Sequence, residues 1–202
     1  MYQDRDECAP APQGLPAEPL RLTPLLAVVL VGVAYVLAAE FGLRLALLHS
    51  SVSPLWPAAG VALASLVLFG RRAWIGVAAG AFAANALTGI GALPAASIAV
   101  GNTLEAVVAH TVLVRITRRR HLGQLTTPIG FLVASALSSM VAAAGGVSVL
   151  VAFGKAPLAL APTIALTWWS GDAIGMLLVA PLLVYALDVW PHVLRPSRAS
   201  VV

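Results

Sequence analysis

The stretch from which the architecture is best predicted is Trp168-Trp169-Ser170-Gly171-Asp172-Ala173-Ile174-Gly175. It lies inside an apolar run from about Pro157 to Leu187, which is too long for a soluble core helix and carries one carboxylate near its middle. An ionisable side chain at bilayer depth costs roughly 2.5–3.5 kcal/mol on insertion scales and usually marks a site or a partner. Membrane tryptophans ordinarily lie at the interfaces instead. The stretch therefore predicts a buried polar pocket whose walls are formed by the rest of the chain.

The composition predicts a membrane protein. Of the 202 residues, 60% are hydrophobic and 10% are charged, and the mean hydropathy is +0.94, whereas soluble domains carry about 25% charged residues. The net charge of +4 does not indicate nucleic acid as a partner, because the basic residues fall in short loops between apolar runs. The single cysteine, Cys8, supports neither an internal disulfide nor a metal site. We find no cofactor fingerprint and no catalytic constellation, so we expect neither a cofactor nor enzymatic activity.

The apolar segments predict an all-α polytopic bundle of about six spans, since about 20 residues cross ~30 Å of hydrocarbon. These spans are expected at residues 24–48, 53–70, 74–93, 94–114, 128–153 and 157–187. The second span is short, and its opening Ser53-Pro54-Leu55-Trp56-Pro57 favours an extended or re-entrant turn, which is tolerated at depth when it is buried in protein. The bundle is expected over 23–188, between a disordered cytoplasmic tail at 1–22 and a basic cytoplasmic tail at 189–202.

The basic residues predict the orientation of the bundle. Ten arginines lie in the two tails, the second–third loop and the fourth–fifth loop, whereas the opposite loops carry only Lys155. Because cytoplasmic loops carry the excess of Lys and Arg, both termini are expected in the cytoplasm. The remaining basic residue, Arg44, lies inside the first span, four residues after Glu40, and this spacing predicts a local ion pair.

Four of the predicted spans carry polar side chains at similar depth: Glu40, Asn85, Asn102, Glu105 and Asp172. On a helix Asn102 and Glu105 share one face, and Trp168 and Trp169 each share a face with Asp172. Three acids against one arginine give a net charge of −2 if all are ionised, so either some acids are protonated or a cation or cationic ligand group neutralises them. The alternative, that these groups only tie helices together by hydrogen bonds worth about 0.6 kcal/mol on average, stays open.

Five motifs in a fixed order carry a resemblance to a known family. They are Ser53–Gly60, Phe69–Ala73, Gly80–Asn85, Gly101–Glu105, and Trp168–Gly175 with Pro181. Together they resemble the first class of membrane-associated sensor (MASE) domains, over about Leu25 to Leu187. The resemblance implies a multi-pass sensory domain of the bacterial inner membrane, usually joined at its C-terminus to a histidine kinase, diguanylate cyclase or phosphodiesterase, and hence two-component or cyclic-di-GMP signalling.

The resemblance also implies candidate ligand-sensing residues. They are Trp56, Asn85, Asn102, Glu105, Trp169 and Asp172, to which the shared helix face adds Trp168. The expected partners are the lipid bilayer, an unknown small ligand, and a cytoplasmic output domain or a separate signalling protein, while homodimerisation is left open. No output domain follows in this sequence, so a stand-alone member, a truncated chain and a chain that signals through a partner are all open.

A second class of function also fits the pattern. A small membrane transporter, or a substrate-binding component of one, uses broken entrances and acids near the midplane, although no inverted repeat is visible in the sequence. An intramembrane enzyme is not favoured, because no nucleophile has a recognisable setting. The prediction of a pocket requires that Asp172 lie away from lipid and close to Glu105 and Asn102.

Overall fold

The computed structural model describes residues 23–45, 53–118 and 126–189. Within these residues all regular secondary structure is helical, as the sequence predicts. The α-helices of the described chain are α1 Pro24–Arg44, α2 Pro57–Phe69, α3 Trp74–Leu87, α4 Ala92–Arg118, α5 Thr126–Ala152 and α6 Ala161–Val184. A π-helical turn over Tyr185–Val189 continues α6. The predicted tail at 1–22 and residues 190–202 of the C-terminal tail lie outside the described residues.

Four of the described helices are long and apolar enough to cross a bilayer. These segments are Pro24–Arg44, Ala92–Thr117, Pro128–Ala152 and Leu158–Leu187. Helix α2 has 13 residues and α3 has 14, and at 1.5 Å per residue each is only about 20 Å long, against a core of ~30 Å. The structure thus confirms an all-helical bundle with four candidate membrane spans among the described residues, whereas six spans and two cytoplasmic termini stay predictions.

The short helix α2 is preceded by an extended segment, as its prolines predict. Residues Ser53–Trp56 are not helical, and Pro57 begins α2 at a position where a missing N–H leaves no hydrogen bond unmade. The Ser53 hydroxyl bonds to the backbone of Leu55 and stabilises the turn. Ser53 and Trp56 are buried, whereas Pro54 is exposed and Leu55 is half-buried. The two ends of this irregular segment are thus enclosed by protein, which is the condition for tolerating such backbone at membrane depth.

Helix α2 lies at the centre of the bundle. All ten residues from Pro57 to Leu66 are buried, on every face of the helix, and α2 packs against α1, α4 and α6. Its sequence is apolar all round, which is typical of a helix enclosed by others. The surrounding helices instead expose large apolar side chains, such as Leu37, Leu104 and Leu178, on their outer faces.

Small residues allow α1 and α3 to approach closely. The small-xxx-small pattern of Gly76 and Gly80 predicts such a contact, and the structure confirms it. A Cβ atom at Gly76 would lie 2.6 Å from the Val28 carbonyl oxygen, and one at Gly80 would lie 2.8 Å from the Gly32 carbonyl oxygen. Helix α3 is therefore held against α1 by backbone contact.

Two predicted boundaries differ in the structure, and the last span, which the sequence allows to be either one helix or two pieces broken near Gly171, is a single helix. The third span was expected to reach Leu93, but α3 ends at Leu87 because Gly89 and Gly91 turn the chain with φ of 76° and 104°. Helix α4 then begins at Ala92 and continues beyond the predicted end of the fourth span. The last span is one continuous helix through Gly171, with Pro181 inside it.

Candidate functional site

Asp172 lies in the interior of the bundle, where the sequence predicts it. The residue is 1% exposed, and its carboxylate accepts a hydrogen bond from the indole N–H of Trp168, one turn earlier on α6. The carboxyl group of Glu105 on α4 faces it at hydrogen-bonding separation. The two acids are 67 positions apart in the chain, so only the packing of α4 near α6 brings them together. This proximity is the contact that the prediction of a pocket requires.

The acid pair is incompletely hydrogen-bonded. Glu105 is 2% exposed, and the hydroxyl of the buried Ser139 on α5 faces it without completing a hydrogen bond. Oε1 of Glu105, Oγ of Ser139 and Oδ2 of Asp172 are all buried without a partner among the described residues. Leaving a buried polar atom unpaired costs about 1–3 kcal/mol. Three such atoms side by side form the unusual feature of this bundle.

Tyr35 connects α1 to the same cluster. Its hydroxyl accepts a hydrogen bond from Asn102 Nδ2 at 3.0 Å and another from the indole of Trp56. Tyr35 is 1% exposed and lies near Glu105 and Asp172. One hydroxyl thus joins the extended segment before α2 to the face of α4 that carries Glu105.

The extended segment is seated directly on the backbone of α6. A Cβ atom at Gly171 would overlap the carbonyl oxygen of Ser53, and one at Gly175 would overlap that of Trp56. The Trp56 N–H donates to the Gly171 carbonyl oxygen at 3.0 Å. Glycines four residues apart thus clear a shallow groove on α6, and the segment lying in it is fixed beside Asp172.

We name the joined side chains the acid cluster. Its members are Tyr35, Trp56, Asn102, Glu105, Ser139, Trp168 and Asp172. They come from α1, the extended segment, α4, α5 and α6. Five of these seven are among the residues that the sequence predicts for sensing.

The other predicted residues lie outside the acid cluster. Asn85 is buried, but its Nδ2 donates to the Ala81 carbonyl oxygen of its own helix at 2.8 Å. Trp169 is 37% exposed, and its Nε1 donates to the Ala136 carbonyl oxygen on α5 at 2.9 Å. These bonds satisfy both side chains locally, so neither is directed at the acid pair.

The predicted ion pair of Glu40 and Arg44 is not formed among the described residues. Arg44 is the last residue of α1 and is exposed, whereas Glu40 lies half-buried one turn earlier. At the end of a helix an arginine reaches away from the preceding turn toward water more easily than back along it. The local pairing suggested by the spacing therefore does not hold in this structure.

Sequence reasoning missed Tyr35 and Ser139. A signal for Tyr35 exists, because it lies in the middle of its helix rather than at an end where an aromatic belt would place it. Helix α5 carries Ser135, Ser138 and Ser139, all fully buried, at spacings that put them on one face. An uncharged polar stripe of this kind in an apolar helix indicates a face turned toward other helices.

The acid cluster offers few ligands for a metal ion. Within residues 23–45, 53–118 and 126–189 no group of three or more His, Cys, Asp or Glu side chains comes together. Two carboxylates and a hydroxyl are hard oxygen donors, which suit a proton, a monovalent cation or a cationic group of a small ligand.

The comparisons with known proteins agree with the resemblance in the sequence. No curated protein and no solved structure shows significant similarity to the chain. The model of the MASE1 family, a family of membrane-associated sensor domains, matches residues 26–200. This match covers the six described helices, apart from the first two residues of α1, and every residue of the acid cluster. The chain belongs to the MASE1 family, and its membrane-length apolar helices are those of a membrane sensor domain.

Proposed function

We propose that this chain is a sensory input module of the bacterial inner membrane whose sensing site is the acid cluster. The observation that carries the proposal is the buried contact of Glu105 and Asp172, which leaves three neighbouring oxygens unpaired. Polar groups that only hold helices together are normally fully hydrogen-bonded, and such a contact does not need a second carboxyl group. A proton, a cation or a cationic ligand group bound at this site would give these oxygens the partner that they lack.

The acid pair is suited to act as a switch because its two carboxyl groups come from different helices. A hydrogen bond between carboxyl groups requires that one of them carry a proton, and two unpaired charges in an apolar interior repel and are costly. Whatever occupies the site therefore changes the distance that α4 and α6 prefer. A ligand shifts such an equilibrium only by binding one packing better than the other, and the unpaired oxygens provide that difference.

Helix α6 is the proposed route to the output. It carries Asp172, continues through Pro181 and ends in the π-helical turn Tyr185–Val189. With the C-terminus in the cytoplasm, a displacement of α6 reaches the residues to which a cytoplasmic output module or a separate signalling partner attaches. Irregular turns of this type are common at functional positions of helices, which supports a role in transmission.

The test is to remove one charge at a time from the site. In a chimera that joins Val202 to a diguanylate cyclase output module, we expect Asp172→Asn and Glu105→Gln each to change cyclic-di-GMP output at least severalfold. Both variants should also abolish its response to changes in external pH and sodium concentration. The matched control is Glu40→Gln, which removes another acid of the membrane region outside the acid cluster. Normal signalling by the Asp172→Asn/Glu105→Gln double variant would refute the proposal.

A transport function is the second candidate, and one observation favours it. The extended segment Ser53–Trp56, whose two end residues are buried, lies beside Asp172 on α6, and unwound backbone next to acids is the usual construction of a transporter site. Solute uptake into proteoliposomes that is lost in Asp172→Ala and kept in Glu40→Gln would favour transport over sensing. The sensory proposal expects no uptake in either protein.

A further inference from the structure

A long apolar groove runs between α3 and α4 on the side of α4 away from the acid cluster. Its volume is about 770 Å³. It is lined mainly by Trp74, Ala78, Phe82, Ala99, Thr103 and Val107. Small side chains contribute to both walls, with Ala78 on α3 and Ala96 and Ala99 on α4. Thr103 contributes a hydroxyl to the lining, and this hydroxyl is already bonded to the Ala99 carbonyl oxygen of its own helix.

Two arginines close one end of this groove. Arg71 and Arg72 form the short turn that leads into α3, both line the groove, and both are exposed. In the part of the chain that the structure describes, neither guanidinium has a carboxylate partner. Trp74 lies at the same end and is 47% exposed, as is typical of an indole at a membrane interface. The groove is thus apolar along its length and strongly positive at its mouth.

The length of the groove matches one leaflet of a bilayer. On α4 its lining runs from Ala96 to Val107, which is about 16 Å at 1.5 Å per residue. Half of a hydrocarbon core of ~30 Å is about 15 Å. The far end of the groove, at Ala96, lies four residues after the start of α4 at Ala92, so the groove runs from the arginines toward the opposite end of the bundle.

We propose that this groove binds one anionic phospholipid of the inner leaflet. Its phosphate is held by Arg71 and Arg72, and one acyl chain lies between α3 and α4. Guanidinium groups pair with phosphate oxygens in two-point contacts, and the alanine-lined floor gives the acyl chain a surface of matching length. This site is separate from the acid cluster, so the lipid proposal can be tested independently of the sensory proposal.

Competition between two lipids tests the site. The full chain in neutral detergent is given equimolar phosphatidylglycerol and phosphatidylcholine with the same acyl chains, and bound lipid is counted by native mass spectrometry. A basic residue near a membrane surface contributes about fivefold to the binding of an anionic lipid, so we expect a preference of tenfold or more for phosphatidylglycerol. Arg71→Gln/Arg72→Gln should bring the preference close to one. Arg115→Gln, which removes an exposed arginine of α4 outside the groove, should keep it.

Two further measurements separate this lipid from other occupants. Ala78→Phe fills the groove and should reduce binding of both lipids, whereas glycerol phosphate, which has the headgroup charge but no acyl chain, should not compete. The proposal is overturned if the double arginine variant keeps the preference or if glycerol phosphate displaces the lipid. It is also overturned if Val100→Cys, in a Cys8→Ser background, crosslinks two chains across this face, since a second copy would then be the occupant.

Discussion

The hydroxyl of Tyr35 is the point at which three separate parts of the chain meet. It accepts hydrogen bonds from Asn102 on α4 and from Trp56 in the extended segment. Both donors are buried, so within the described structure they depend on this single oxygen. Such a residue holds the neighbouring acids in position without itself having to bind anything.

Replacing Tyr35 by Phe should therefore be costly although the ring still fills its space. Two buried donors lose their acceptor, and we expect a loss of about 1–3 kcal/mol in stability, measured by thermal unfolding in detergent. Ser97→Ala is the control, because it removes an exposed hydroxyl bonded only to its own helix, and it should change stability by less than ~0.5 kcal/mol. Strict additivity in the Tyr35→Phe/Asn102→Leu cycle would contradict the assigned contact.

Which of the two adjacent tryptophans, Trp168 or Trp169, turns toward Asp172 is also determined by individual residues. Trp168 and Trp169 lie four and three positions before Asp172, so helical spacing alone places both near it. The difference comes from α5, where the lack of a side chain at Gly146 leaves room for the ring of Trp168. The sequence predicts the face of the helix, but a neighbouring glycine determines which indole turns inward.

At the scale of elements, the contact between α6 and the extended segment determines where the acid cluster is built. Gly175→Ala would place a methyl group on the Trp56 carbonyl oxygen, and backbone cannot yield as a flexible side chain does. We expect a destabilisation of about 1–3 kcal/mol or more, visible as a lower unfolding temperature and loss of monodisperse protein.

The matched control is Gly101→Ala on α4. A methyl group there meets no atom within 4 Å, and alanine favours a helix over glycine by roughly 0.5–1 kcal/mol. The two substitutions are chemically identical, so their effects should have opposite signs. Equal effects would show that helix propensity, rather than the seating of the extended segment, controls both positions.

Element boundaries show what the sequence could and could not predict. Apolar length predicts α1, α4, α5 and α6 well, since each is a helix that is long and apolar enough to cross a bilayer. The same criterion overestimates α3, because Gly89 and Gly91 turn the chain before the apolar run ends. The prolines around Trp56 do predict an irregular entrance, since a proline cannot supply the N–H that a helix needs.

At the scale of the whole molecule, the convergence of the acids was predictable and their surroundings were not. Equal depth on different spans placed Asp172 with Glu105, since lipid exposure of either is too costly. Tyr35 and Ser139 were not predicted, because exposing an uncharged side chain to lipid does not carry a comparable free-energy cost. Asn85 was predicted from its depth and from the family resemblance, and its bond to Ala81 shows that depth does not determine which helix a side chain faces.

The orientation of the bundle can be tested with the single native cysteine. Because the N-terminal tail is predicted to be cytoplasmic, a membrane-impermeant maleimide should label Cys8 only after cells are lysed. Lys155→Cys in a Cys8→Ser background should be labelled in intact cells, since residue 155 is exposed at the opposite end of the bundle. Labelling of Cys8 in intact cells would show that the predicted orientation is wrong. The assignment of α6 as the route to the cytoplasm would then be wrong as well.

The central position of α2 also governs how the protein is made. The N–H of Trp56 is bonded to Gly171, a residue that leaves the ribosome only when most of the chain has been synthesised. Until α6 arrives, the Trp56 N–H does not have this acceptor, and the bilayer interior offers none. Biosynthesis must therefore hold the first third of the molecule in an unfinished state, and a nascent chain interrupted before α6 is a natural substrate for membrane quality control.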